Sequence, residues 1–308
     1  MPNPINPGRT GLTQHVVRPL TGANDQVAAF ERARRELNRT KRVQTAAWAG
    51  LLLLGVAGSV WVSEVHLGKL VGGFPGLVSY IQGTLPVIRA GHFVADVAEW
   101  YWGLGRWLSL LLDTLLIAFM GTLFGTVGAF LLCFPASRNL APHGWLYVTC
   151  RRALEVARTV PELVFALIFV YAFGLGPLPG VLAIAVHSMG ALGKLFSEVN
   201  DNIDLGPVEG VRAAGGNWGQ TVRYAVVPQV LPNLISYTLL RFEINVRASS
   251  VIGFVGAGGI GQELYTVIRQ FIYVDISALV LLLVITVAAI DMLCERLRHR
   301  LIGGQALT

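Results

Sequence analysis

Residues 107–134 read WLSLLLDTLLIAFMGTLFGTVGAFLLCF, an apolar run broken by a single charge, Asp113. As a helix rising 1.5 Å per residue it reaches about 42 Å, more than the roughly 30 Å hydrocarbon core of a bilayer. In water nothing in so short a segment could cover its own leucines and phenylalanines. It is read as a membrane-spanning helix. Five more stretches qualify: Ala46–Ser63, Arg152–Phe173, Leu178–Phe196, Tyr224–Val246 and Ile272–Leu293. The expected fold class is therefore an all-α integral membrane protein of about six transmembrane helices. Composition agrees. The 308 residues are 54% hydrophobic and 14% charged, against about 25% charged in soluble domains. So little charge cannot coat a globular surface, and so much apolar residue excludes disorder. Glycine follows no strict period and no heptad run persists.

Charge placement gives the orientation. The segment 1–45 holds eight Lys/Arg, and the loops after the second and fourth spans and the C-terminal tail hold eight more. Four face the other side: Lys69, Arg89, Arg106 and Arg269. The positive-inside rule then puts both termini in the cytoplasm. The net charge of +6 reflects that anchoring, not nucleic-acid binding. Two domains are expected, a basic cytoplasmic segment over 1–45 and a transmembrane domain over 46–308. Asn24–Arg42 reads as a separate surface helix, capped by Asn24 or Asp25, with Val27, Phe30, Ala33 and Leu37 as its apolar stripe. Residues 64–105 lie outside as an interfacial helix or short lid. Cys133, Cys150 and Cys294 have no short spacing and fall near the reducing side, so free thiols are expected.

Several chemistries are missing. The nearest approach to a P-loop is Gly190, Gly193 and Lys194, but Leu195 follows and the segment is a span, so the chain does not hydrolyse ATP alone. There is no HExxH and no Cys/His cluster with metal spacing. Gly256-Ala257-Gly258-Gly259-Ile260-Gly261 fits GxGxxG, with Asp275 downstream. A dinucleotide site needs a βαβ unit around it, and this string sits between two spans. Gly256, Gly258, Gly259 and Gly261 are read either as a flexible gate or as a tight turn allowing close packing.

The loop over about 201–223 carries the function. Glu209-Gly210-Val211-Arg212-Ala213-Ala214-Gly215 reads as a short cytoplasmic helix with a glycine stop, and Pro228 and Pro232 punctuate the next span. Such a helix is shaped to dock in a partner's groove. The segment resembles the coupling loop of permease subunits of binding-protein-dependent ABC importers, whose pattern is EAA, three residues, Gly, nine residues, then I-x-L-P. Glu209, Gly215 and Pro228 match in spacing; Gly210 and Val211 replace two alanines, and Ala225 and Val227 replace Ile and Leu.

Between about Arg151 and Arg298 the chain is similar to permeases of phosphonate-type importers. The strings are 161–165 PELVF, 174–177 GLGP, 207–213 PVEGVRA, 228–232 PQVLP, 241–243 RFE, 245–247 NVR and 255–261 VGAGGIG. The resemblance implies a type I importer permease fold and a homodimer. It also implies two ABC ATPase subunits on the cytoplasmic face, which bind ATP and Mg while this chain holds no cofactor, and an external solute-binding protein. Phosphonate, phosphite and hypophosphite importers share this permease type. ATPase coupling is then expected from Glu209, Gly210, Arg212, Ala213, Ala214, Gly215 and Pro228.

Charges within spans are costly and mark function or mutual pairing. Arg158 with Glu162, Lys194 with Glu198, and Glu243 with Arg247 stand at i,i+4, where they either neutralise each other or serve the path. Asp113, His187 and Arg241 have no local partner. A phosphorus oxyanion needs cationic donors, and the guanidinium fork suits two oxygens. Arg241, Asn245 and Arg247 are therefore the leading candidates for the translocation path, with His187, Ser188, Glu243, Arg158 and Glu162 behind them. A lone span histidine such as His187 more often rests on a backbone carbonyl. An ion-coupled secondary transporter using Asp113 or His187 is the main rival. A membrane enzyme is a weaker one, since the charges pair along single helices.

Overall fold

The computed structural model describes residues 23–63, 67–89 and 91–303, and every regular element among them is helical. The chain divides at Pro75 into two compact units. The first contains α1 (Ala23–Val62), one uninterrupted helix of 40 residues. The separate surface helix expected up to Arg42 is thus continuous with the first span, and no break marks the boundary expected at residue 45. No residue between Gln26 and Val62 is a proline and only Gly50, Gly55 and Gly58 are glycines, so nothing stops the helix. Val27, Phe30 and Leu37 are exposed. Capping by Asn24 or Asp25, the place of Ala33 in the stripe, and Arg9 and Arg18 lie outside what is described.

After α2 (Leu67–Thr84), the second unit continues with α3 (Phe93–Trp100), α4 (Leu104–Cys133), α5 (Gly144–Thr159), α6 (Glu162–Phe173) and α7 (Pro177–Asp201). It ends with α8 (Gly206–Ala213), α9 (Trp218–Thr221), α10 (Val227–Ile252), α11 (Ile260–Arg269) and α12 (Tyr273–Gly303). Among the described residues four helices are long and apolar enough to cross a membrane, and counting each of two bent pairs as one span gives up to six. The expected third span, Arg152–Phe173, is not one helix. It is α5 and α6, bent by 89°. The cause is Pro161: the ring excludes the preceding residue from the α region, and Val160 sits at φ −72°, ψ 124°.

The start of the fifth span is also shaped by proline. Pro228 has no N–H to give, and its ring would strike the carbonyl one turn back. The backbone answers with a π turn over Val222–Val226, in which the Val227 N–H reaches Val222 O. The Gln229 side chain donates to the Ala225 carbonyl at 2.7 Å.

Three of the four apolar clusters among the described residues mark levels along the bundle. At the α3–α11 end, Trp107 and Leu111 meet Ile260, Val267 and Leu279. In the middle, Ile117, Ala166, Ile184, Ile252 and Ala257 pack together. At the opposite end, Leu192, Phe196, Val226 and Val230 enclose Val208 of α8. Between α4 and α7 the backbones nearly touch. A Cβ on Gly125 would lie 2.8 Å from Ser188 Cβ and 2.9 Å from Ala185 O. A Cβ on Gly190 would lie 2.5 Å from the Arg158 amide of α5. Without a hydrophobic force between helices in lipid, such close contact supplies the attraction. The three cysteines are free and buried, as expected.

Candidate functional site

α8 is mounted firmly on the bundle while its outer face stays open. Asp204 Oδ1 accepts the Gly206 N–H at 2.9 Å, turning the chain into the helix. Val208 is the one buried side chain of α8. At the other end Gly215 adopts φ +83°. Its N–H reaches Arg212 O, and that of Gly216 reaches Val211 O, both at 3.0 Å. This is a Schellman stop, and it needs a residue without a Cβ penalty at Gly215. Asn217 and Gln220 then form a reciprocal capping box that launches α9. Glu209, Gly210, Arg212, Ala213, Ala214, Gly215 and Pro228 are all exposed. All seven residues expected to face a partner are therefore available to one.

Two residues of this mount were not anticipated. Gln229 Oε1 accepts the Asp204 N–H at 3.1 Å and Gln229 Nε2 donates to Asp204 O at 3.2 Å, joining the entry of α8 to α10. Trp218 Nε1 donates to Leu140 O at 2.7 Å, joining its exit to the α4–α5 loop. Only the placement of Gln229 beside Pro228 could have signalled the first.

Mid-bundle, polar side chains from four helices form a seam. Asn245 is fully buried, and its Nδ2 donates to Thr122 Oγ1 and to Ser188 Oγ, both at 2.8 Å. Arg241 Nε donates to the same Ser188 Oγ at 3.1 Å. The Arg241 guanidinium also lies 3.9 Å from the Glu162 carboxylate. Arg241 is therefore partnered after all, by a residue 79 positions away in sequence. The expected Arg158–Glu162 pair does not form, because the break at Val160–Pro161 removes the helical turn that would align them. Arg158 is exposed and makes no ion pair among the described residues. His187 Nδ1 lies 3.0 Å from Val160 O, the carbonyl contact expected of a lone span histidine.

The other two i,i+4 pairs are present: Lys194–Glu198 and Glu243–Arg247. The second extends across helices. Arg298 of α12 lies 3.4 Å from Glu243, and Asp291 lies 3.5 Å from Arg247. Asp113 is exposed on α4.

The glycine string is a tight turn. Gly256, Gly258 and Gly259 have φ of +89°, +81° and +74°. The Gly256 carbonyl accepts the Gly176 N–H at 3.0 Å, and Thr114 Oγ1 accepts the Ile260 N–H at 2.8 Å. A Cβ on Gly261 would collide with the Ser250 carbonyl. Asp275 accepts from Trp102 Nε1 at 3.2 Å, a role unrelated to nucleotide binding.

These features meet known proteins at one point. Residues 121–302 match the family described as binding-protein-dependent transport system inner membrane component, more than half of the chain. The chain belongs to this family. It is the permease component of an ABC importer, embedded in the membrane and without an ATPase of its own, and the ion-coupled alternative is not favoured. A phosphite transport system permease protein of Stutzerimonas stutzeri is 42% identical over 80% of this chain and 85% of its own. A putative phosphite transport system permease protein of the same organism is 35% identical over 86% and 89%. The phosphate-import permease protein of Mycolicibacterium smegmatis is 40% identical over 79% of this chain and 44% of its own. Among solved structures, an inward-facing form of a methionine ABC transporter aligns with a TM-score of 0.55 at 23% identity, covering 63% of this permease and 95% of that chain. An alginate-importing ABC transporter gives 0.55 at 13%, covering 87% and 99%. These likenesses fix the fold as that of a type I importer permease.

Proposed function

We propose that the permease passes a small phosphorus oxyanion, a phosphonate, phosphite or hypophosphite, across the bacterial inner membrane. It works as a homodimer with both termini in the cytoplasm. A solute-binding protein delivers the anion from outside, and two ATPase subunits grip α8 from inside. The substrate class rests on the names of the relatives; the orientation rests on the sixteen-to-four distribution of Lys and Arg outside the spans.

One observation carries the coupling reading: α8 buries Val208 in the same apolar cluster as α7 and α10 while presenting Glu209 and Arg212 outward. A pull on α8 is passed to the bundle through Val208 and through the Asp204–Gln229 and Trp218–Leu140 hydrogen bonds at its two ends. Residues 23–45, the basic first half of α1, extend the first span into the cytoplasm.

For the path, the geometry separates the candidates by access. Arg158 and Arg247 are the open cations, and Glu162 is half-buried. Arg241, with its side chain 13% exposed, ties α10 to α7 through Ser188 and to α6 through Glu162, and offers a guanidinium to a passing anion when Glu162 yields. Glu243 sets the position of Arg247, and His187 fixes the bend at Val160. Gly256, Gly258, Gly259 and Gly261 form a tight turn bonded to the residue before α7 at Gly176, a position from which it gates the outer end of the path.

The test is a reconstituted complex with its ATPase and binding protein. Charge reversal at Glu209 is expected to leave ATP hydrolysis running while uptake of labelled phosphite and methylphosphonate falls at least tenfold. Unchanged uptake would remove the coupling assignment. Uptake of none of the phosphorus anions by the unmodified complex would remove the substrate assignment.

A further inference from the structure

One face of α1 has donors and small residues in an order that suits a lipid. Asn38, Lys41, Arg42, Thr45, Ala46 and Ala49 line a single shallow concavity along the helix. Their spacing of 3, 4, 7, 8 and 11 positions from Asn38 keeps them on one side. The apolar part of the helix runs from Ala46 to Val62, which at 1.5 Å per residue is about 26 Å, close to the roughly 30 Å of the hydrocarbon layer. Lys41 and Arg42 therefore stand at headgroup level, and Ala46 and Ala49 lie just inside the acyl region.

Two of the neighbouring cations are engaged locally, whereas Arg34 and Arg39, like Lys41 and Arg42, form no ion pair among the described residues. Arg35 is engaged by Glu31 at 3.3 Å, and Arg32 Nε turns back to the Ala28 carbonyl. Lys41 and Arg42 form no ion pair among the described residues, and both are exposed.

We propose that this face is a binding site for an anionic phospholipid. Lys41 and Arg42 meet the phosphate, Asn38 and Thr45 donate to headgroup oxygens, and an acyl chain lies over Ala46 and Ala49. The alanine track separates a lipid from a free anion, which has no apolar tail to place there. The level separates it from an acidic soluble partner, which would meet the outer cations Arg32, Arg34 and Arg39 first. The site is independent of the transported solute.

The experiment uses the full-length permease, with its partners, in nanodiscs of 70% phosphatidylcholine and 30% phosphatidylglycerol. The lipid retained through detergent purification is then quantified. About 1 kcal/mol per basic residue at an anionic surface sets a ceiling of roughly thirty-fold for the preference of two cations. Enrichment of phosphatidylglycerol by several-fold or more is expected. It should vanish in Lys41→Gln/Arg42→Gln, persist in Arg32→Gln/Arg34→Gln, and weaken in Ala46→Phe/Ala49→Phe. Should the double glutamine variant fail to accumulate, loss of the wild-type enrichment on raising salt from 0.1 to 0.5 M tests the same charges. No enrichment, enrichment kept without Lys41 and Arg42, lost only with Arg32 and Arg34, or insensitive to salt would each overturn the site. Displacement by 10 mM inorganic phosphate would overturn it in favour of a plain anion site.

Discussion

Two glycines five residues apart, Gly210 inside α8 and Gly215 at the stop that follows it, should respond to alanine with opposite signs. Gly215 sits at φ +83°, and a Cβ built there meets no atom within 4 Å. Gly210 also has open space around its Cβ position, but lies inside the helix. Gly215→Ala therefore adds no clash, only the cost of the left-handed conformation for an L-residue, roughly 1–2 kcal/mol. Gly210→Ala removes backbone freedom from the unfolded segment and should stabilise it by roughly 0.5–1 kcal/mol. Amide exchange reads both, because the N–H groups of Gly215 and Gly216 are bonded to Arg212 O and Val211 O and exchange only when the stop opens. At 1.4 kcal/mol per tenfold, Gly215→Ala should speed exchange in the peptide covering 206–217 by roughly five- to thirty-fold, and Gly210→Ala should slow it by roughly two- to five-fold. Asparagine at 215, which tolerates this conformation better, should fall between wild type and alanine. In proteoliposomes the solute moved per ATP should drop for Gly215→Ala and hold for Gly210→Ala. If both variants shift exchange in the same direction, the stop at Gly215 is not what orders α8.

Gly190→Ala forces a Cβ to within 2.5 Å of the Arg158 amide and should destabilise the bundle by about 1–3 kcal/mol, seen as a lower melting temperature in detergent, whereas Gly105→Ala, a helical position with open space around it, should not lower it. Asn245→Leu removes two hydrogen bonds, to the Thr122 and Ser188 hydroxyls, which keep their contacts with Ala118 O and Arg241 Nε, and should cost about 1–3 kcal/mol at roughly 0.5–1.5 kcal/mol per bond, read by the same melting assay. Arg241→Gln should reduce anion uptake, and adding Glu162→Gln should restore complex assembly but not uptake; wild-type uptake in Arg241→Gln would dismiss its role in the path. In the folded protein the buried thiols of Cys133, Cys150 and Cys294 should react slowly with maleimide, and all three should label after denaturation.

The spans were legible because hydrophobic length is a one-dimensional signal, and the register of Glu209, Gly215 and Pro228 was legible because the stop, the cap and the proline each act locally. The bend between α5 and α6 was hidden inside the same apolar count. Hydropathy does not register direction, although Pro161 held the clue. The Arg241–Glu162 and Arg298–Glu243 contacts join separate helices, so no spacing along the chain encodes them. Gly121, Gly125 and Gly190 read only as small residues until α4, α5 and α7 are seen to touch through them. The basic half of α1 looked like a separate element because its charge contrasts with the run that follows, but helix propensity is indifferent to that contrast.

Backbones in contact at Gly125 and Gly190 have no side-chain ridges to roll over. We expect α4, α5 and α7 to behave as a single stiff block through the transport cycle, with deformation confined to joints such as Val160–Pro161. Pinning α4 to α7 by a covalent bridge near Gly128 and Met189 should then leave turnover intact, whereas a bridge across the α5–α6 corner should arrest it.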